Sequence, residues 1–191
     1  MTLLRHLIGI GMLGILLAGC GNQSTKPDLP ARPARESISR FALDGRMAIS
    51  QAGRSNTLRI SWEHTPASDL IGFASPLGNQ LAELQRDAQG ARWTSADGER
   101  REAGSADQLM ARLTETPVPL DSLALWVLGR IGSQAEVIQR DPFGRLLIAV
   151  EQAWTVRITS YENDSVNALP ATLEAERPGL RVKLAIEAWQ P

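Results

Sequence analysis

Residues 41–62 read FALDGRMAISQAGRSNTLRISW, and the architecture turns on this stretch. Phe41, Leu43, Gly45, Met47 and Ile49 alternate with polar or small residues. Leu58, Ile60 and Trp62 alternate in the same way against Thr57, Arg59, Ser61 and Glu63. A period of two marks strands with one buried and one solvated face, the arrangement typical of antiparallel sheets. Between the two runs, Gln51 to Asn56 (QAGRSN) reads as the hairpin turn.

The same alternation returns at the far end of the chain. Leu180, Val182, Leu184, Ile186 and Ala188 are expected on one face, with Arg181, Lys183 and Glu187 on the other. Arg177-Pro178-Gly179 is the turn that feeds this strand. Shorter strands are expected at Leu70 to Ala74, Gln80 to Gln85, Ala91 to Ser95, Glu136 to Arg140, Leu146 to Val150 and Trp154 to Tyr161. Ala96-Asp97-Gly98 and Asp141-Pro142-Phe143-Gly144 supply turns. The period switches once. Ser105 followed by Gln108 forms a capping box, and Leu109, Met110 and Leu113 recur at helical spacing until Pro117 and Pro119 break the pattern. Asp121 is placed to cap a second helix with Leu123, Trp126 and Val127 on one face and Gly129 as its left-handed stop. Many short strands interrupted by one helical pair predict a curved antiparallel sheet with helices on one face.

Upstream of this domain, Arg5 and His6 precede the uncharged run Leu7 to Leu17, which is too short to span a bilayer and reads as a secretory signal. Leu17-Ala18-Gly19-Cys20 resembles the bacterial lipobox, so residues 1–19 are expected to be a cleaved signal and Cys20 the lipidated amino terminus. Cys20 is the one cysteine of the chain, which leaves no disulfide to form. Residues 20–39, rich in Pro, Ser and charge, read as a flexible tether, and residues 40–191 as the folded domain.

The 172 residues after the signal carry 19 basic and 21 acidic side chains, interspersed. That balance argues against a nucleic-acid surface and against anchoring through a polybasic patch. Catalysis and metal binding need convergent polar groups, and few are available. His64 is the only histidine after cleavage and reads as an exposed residue at a loop. No zinc set, cysteine–histidine pair, nucleophile elbow, phosphate-cradling loop or dinucleotide fingerprint is present. The expectation is a non-enzyme without metal or cofactor.

One loop does not fit a simple turn. In Ser75-Pro76-Leu77-Gly78, a large aliphatic residue stands where Asn or Asp is usual. Leu77 either folds back onto the core or projects into its surroundings. This motif, followed by Leu81, Leu84 and Asp97-Gly98, resembles the LolB family. So do Pro117-Val118-Pro119-Leu120-Asp121-Ser122-Leu123 running into Trp126-Val127-Leu128-Gly129, and the segment from Leu169-Pro170-Ala171 through Arg181-Val182-Lys183-Leu184 to Trp189. The amino-terminal third matches more loosely, through Gly45-Arg46 and Ser61-Trp62.

The resemblance implies an incomplete antiparallel β-barrel around an apolar cavity, closed by a helical lid. It implies a monomeric outer-membrane lipoprotein that accepts lipoprotein cargo from a LolA-like periplasmic carrier and inserts it into the membrane's inner leaflet. Cys20 would carry the lipid that holds the domain to that leaflet, and Pro76, Leu77 and Gly78 the membrane-insertion loop. Leu58, Ile60 and Trp62 are candidate cavity walls, and Leu123, Trp126 and Val127 candidate lid residues. The alternative is an outer-membrane lipoprotein that acts as a structural or assembly partner, with a filled core and no lipid cavity. A lipid-anchored hydrolase is a third reading, disfavoured by the lack of nucleophile–base spacing.

Overall fold

The computed structural model describes residues 32–113 and 118–190. The expected signal, Cys20 and residues 20–31 of the expected tether lie outside the described residues. Residues 32–39 are not a free tether but belong to the fold, with Ile38 buried in the core, Arg32 paired with Glu162 and Arg35 donating to the Ala168 carbonyl. Eleven strands form one sheet: β1 (Phe41–Gln51), β2 (Arg54–Thr65), β3 (Ser68–Ala74), β4 (Gln80–Asp87), β5 (Gly90–Ser95), β6 (Arg100–Ala103), β7 (Glu136–Arg140), β8 (Leu146–Glu151), β9 (Trp154–Tyr161), β10 (Pro170–Arg177) and β11 (Leu180–Gln190). Helices α1 (Ala106–Leu113) and α2 (Leu120–Val127) fall between β6 and β7 in sequence. The spatial order is β6-β5-β4-β3-β2-β1-β11-β10-β9-β8-β7, and every neighbouring pair is antiparallel. Two meanders thus meet where the first strand pairs with the last. The sheet ends at β6 and β7 and stays open, as an incomplete barrel requires.

The first hairpin is tighter than the sequence suggests. Gln51 pairs with Arg54, so the turn is Ala52-Gly53 alone, with φ of +49° and +75°. Both values are positive, as a two-residue hairpin following the strand twist demands. Strands β6 and β10 were not expected at all. Residues 171–176 (ATLEAE) have helix-forming composition, but β9 and β11 lie on either side and the segment completes the ladder between them.

A bulge separates Asp44 from Gly45, because Asp44 faces Ala188 while Gly45 faces Ile186. Glu187 is the extra residue, and it flips the phase of β11. Leu180, Val182, Leu184 and Ile186 point inward as expected, whereas Ala188 is exposed and Trp189 turns in. The Trp189 Nε1 donates to the Pro170 carbonyl at 3.0 Å. A Cβ on Gly45 would lie 2.3 Å from the Ala185 carbonyl oxygen, so only glycine fits this crossing.

Helix α1 begins as expected: the Gln108 amide donates to Ser105 Oγ at 3.2 Å. Helix α2 begins two residues earlier than expected. Pro119 occupies the cap, and Asp121 sits in the first turn, where it complements the helix dipole rather than capping an amide. Its end is a Schellman motif at Gly129 (φ +70°), with Gly129 N donating to the Trp126 carbonyl and Arg130 N to the Leu125 carbonyl. Six of the eight α2 residues are buried, so this helix lies within the curve of the sheet rather than on its surface.

Candidate functional site

The inward face of β1 to β5, capped by α1, Val118 and the start of α2, encloses a cavity of about 370 Å³. Strand alternation supplies its walls: Met47 and Ile49 from β1, Leu58, Ile60 and Trp62 from β2, Ile71 and Phe73 from β3, Ala82 and Leu84 from β4 and Trp93 from β5. Met110 and Leu113 of α1 and Leu120 and Leu123 of α2 close it over Val182 of β11. All the lining residues, with Leu81 and Val118, are apolar. At the floor Trp62, Ile71 and Leu84 are fully buried. Exposure rises toward Ile49, Leu58, Phe73 and Leu81, and Leu81 is 46% exposed. The opening therefore faces the end of the sheet that carries the β3–β4 loop.

That loop holds Leu77 out. Ser75 and Asn79 bridge its base, with the Ser75 amide donating to the Asn79 carbonyl at 2.8 Å and the Asn79 amide to Ser75 Oγ at 3.2 Å. Gly78, at φ +91°, donates its amide to the Ser75 carbonyl and closes the turn. Pro76, Leu77 and Gly78 are all exposed, and Leu77 at 90% is the most exposed large apolar side chain among the described residues. It does not fold back onto the core.

Of the six residues expected at the cavity, Leu58, Ile60, Trp62 and Leu123 line it. Trp126 and Val127 do not, and this corrects the helical-face reading. Both are fully buried on the other side of α2, where Trp126 meets Trp154 at 5.9 Å between ring centroids and its Nε1 donates to Glu151 Oε2 at 2.7 Å. Helix α2 is enclosed nearly all round, so only its first turns reach the cavity. The sequence reading missed Ile71, Phe73, Ala82 and Leu84. Their every-second-residue spacing was visible, but the inward side of these short strands becomes readable only once they are paired with β2.

His64 is also corrected. It lies within β2, opposite Asp69 of β3, stacks on Phe41 at 4.8 Å and places Nδ1 2.6 Å from Asp69 Oδ1. The Trp62 Nε1 donates to the same oxygen at 2.8 Å, and the Arg86 guanidinium pairs with Asp69 Oδ2. Burial pushes the Asp69 carboxyl upward, but bonds from His64, Trp62 and Arg86 outweigh it and hold the group below the usual carboxylate range. A buried charge thus fixes the indole at the cavity floor. The usable signal was Thr65-Pro66-Ala67-Ser68: a two-residue turn there sets residue 64 opposite residue 69. Among the described residues, no group of His, Cys, Asp and Glu is arranged to hold a metal ion.

Comparison with known proteins agrees with this geometry. The sequence pattern of the family described as "Outer membrane lipoprotein LolB" matches residues 39–189. Relatives bearing the name "Outer-membrane lipoprotein LolB" include one from Dechloromonas aromatica, 35% identical over 92% of each chain. Another, from Azoarcus sp., is 33% identical over 93% of this chain and 91% of its own. The fold is similar to that of a LolA superfamily protein from Nitrosomonas europaea, with a TM-score of 0.52 at 11% identity over 82% of this chain and 89% of that one. A DUF1329 family protein from Desulfovibrio piger gives 0.54 at 12% identity over 82% and 87%. The apolar half-barrel, its exposed leucine loop and these matches together place the chain in the LolB family of outer-membrane lipoproteins.

Proposed function

We propose that this lipoprotein accepts other lipoproteins from a LolA-like periplasmic carrier, holds their acyl chains in the β1–β5 cavity and passes them to the inner leaflet of the outer membrane. The observation that supports it most is a cavity lined only by apolar groups, opening at the end of the sheet where Leu77 projects.

Acyl chains are worth about 0.8 kcal/mol per methylene removed from water, so a triacylated cargo carries tens of kcal/mol and has to be shielded throughout its transfer. The periplasm supplies no ATP, so the last step has to run downhill. The receptor cavity holds the chains better than the carrier and less well than the bilayer. At about 370 Å³ the cavity lies near the lower end of the roughly 300–1,000 Å³ typical of ligand pockets and takes about one ligand-sized body. Several acyl chains require α1 and Val118 to move outward, and the half-buried Met110 and Leu113 suit that motion.

Leu77 contributes about 1.5–3 kcal/mol when buried, far less than the cargo. It does not drive insertion; it seats the cavity mouth against lipid. Cys20 carries the anchoring lipid and localises the domain without shaping the cavity.

The test mixes Cys20→Ala protein, with and without Leu77→Glu, with carrier loaded with a labelled lipoprotein and with liposomes. Cargo should move from carrier to both proteins and reach the liposomes only with Leu77 present. Cargo that never leaves a compatible carrier for the folded protein would overturn the receptor reading and favour a structural partner. Equal delivery by both variants would overturn the role of the loop.

A further inference from the structure

Beside the Leu77 loop, the outer face of the sheet carries a contact that works against the fold. Arg46 of β1 and Arg59 of β2 are directly opposite each other in the ladder, and both side chains are exposed. Opposed residues on one face sit about 5 Å apart at Cβ, and like charges there destabilise the pairing. Arg46 is relieved by Glu187, 2.6 Å away, the residue that the β11 bulge leaves without a partner strand position. Arg59 forms no ion pair among the described residues, although it also borders a neighbouring cleft with Asp44 and Glu83. Both arginines face a pocket of about 340 Å³, with Thr57, Leu58 and Glu187 as other walls and Pro76 of the leucine loop as its rim. Leu58 also lines the apolar cavity on the opposite face of the sheet, so the pocket lies across β2 from the cavity, at the end of the sheet that carries the leucine loop.

We propose that Arg59, assisted by Arg46, binds the phosphate of an anionic phospholipid in the leaflet that Leu77 enters. This rests on the reading of Leu77 as the membrane-contacting residue. A guanidinium is a planar fork of donors that matches phosphate oxygens, and two of them facing one pocket are stabilised by an anion between them. An exposed ion pair such as Arg46–Glu187 is weak enough for Arg46 to exchange its partner. A phosphate clamped here fixes the height and tilt of the domain, so that the leucine enters the acyl region while Leu58 and the cavity mouth stay level with the headgroups.

The experiment uses the Cys20→Ala chain, exported behind a cleavable leader, and measures binding to phosphatidylcholine vesicles with and without phosphatidylglycerol. Arg59→Gln should weaken binding to the phosphatidylglycerol vesicles about fivefold, the share of one basic residue at an anionic surface. It should leave binding to pure phosphatidylcholine unchanged. Arg100→Gln, which removes an exposed charge from edge strand β6, should change neither. Leu77→Glu should weaken binding to both vesicles. Wild-type binding by Arg59→Gln, or an equal loss in Arg100→Gln, would overturn the proposal, the second result revealing only diffuse attraction. An effect of Arg59→Gln without any effect of Leu77→Glu would overturn the loop reading and leave the headgroup contact standing. Inorganic phosphate that competes as well as phosphatidylglycerol vesicles would show an anion site without lipid specificity and would also overturn it.

Discussion

The two halves of the sheet solve one packing problem in opposite ways. Under β8, β9 and β10 the space beside α2 is full: Leu146, Trp154, Val156, Ile158, Leu173 and Ala175 are each no more than 2% exposed. Under β1 to β5 a comparable set of apolar residues leaves about 370 Å³ unfilled. Each half also contains a tryptophan whose indole donates to a buried carboxylate, Trp126 to Glu151 and Trp62 to Asp69. In the full half that bond is sealed in the core. In the open half it holds the cavity floor in shape. A protein that stores apolar cargo needs both, a rigid half that sustains the fold and a half with room in it.

The contrast can be broken most sharply in the full half. Trp126→Ala should cost about 3–5 kcal/mol in urea denaturation, because α2 and β9 cannot collapse into the space. A loss below about 1 kcal/mol would show that this half is as loose as the other. Next in size is Asp69→Ala, which leaves Trp62 Nε1 and Arg86 without their acceptor. A loss of about 1–3 kcal/mol is expected, below the figure for a fully buried pair because Arg86 is partly exposed. Apolar-dye affinity should fall as well, since the indole is released. The Asp69 carboxyl is held below its ordinary value of 3.8. Its contribution is therefore fully present above that value and is lost as pH falls through the lower folded-state value. Asp69→Ala should abolish this part of the acid dependence.

A single chemical change made twice sharpens the comparison further. Ala175→Leu adds volume where none is free and should destabilise by about 1–3 kcal/mol. Ala82→Leu points the same group into the cavity and should stabilise by about 0.5–2 kcal/mol while reducing dye uptake. Equal effects in thermal unfolding would mean that the void is not available to a side chain. The smallest stability effect belongs to Leu77→Glu, expected within about 0.5 kcal/mol because the side chain touches little of the fold. A larger loss would show that the loop braces the domain.

Much of the fold was legible because period-two alternation is a local signal. Strands β1, β2 and β11, the Ser105 cap and the Gly129 stop follow from residues that act on their immediate neighbours. Three features were not legible for the same reason. Segment β10 looks helical in isolation and is extended because two strands flank it. Ala188 and Trp189 exchange faces at a bulge beside Gly45, where the Ala185 carbonyl of the paired strand comes too close for a Cβ. His64 looks like a loop residue until the tight turn at Pro66-Ala67 brings Asp69 opposite it.

By itself the sequence determined which residues alternate, where helices begin and stop and, through motifs spread along the chain, the family. Alternation says that a face is buried but not against what. Tertiary structure alone decided that the apolar face of β1 to β5 borders a cavity of about 370 Å³ while Trp154, Val156 and Leu173 of the other half are fully covered. A cavity is the difference between the volume that distant elements enclose and the volume their side chains fill, and no local pattern records that difference. The same holds for Leu77, whose exposure depends on where the ends of β3 and β4 sit relative to everything that might have covered it.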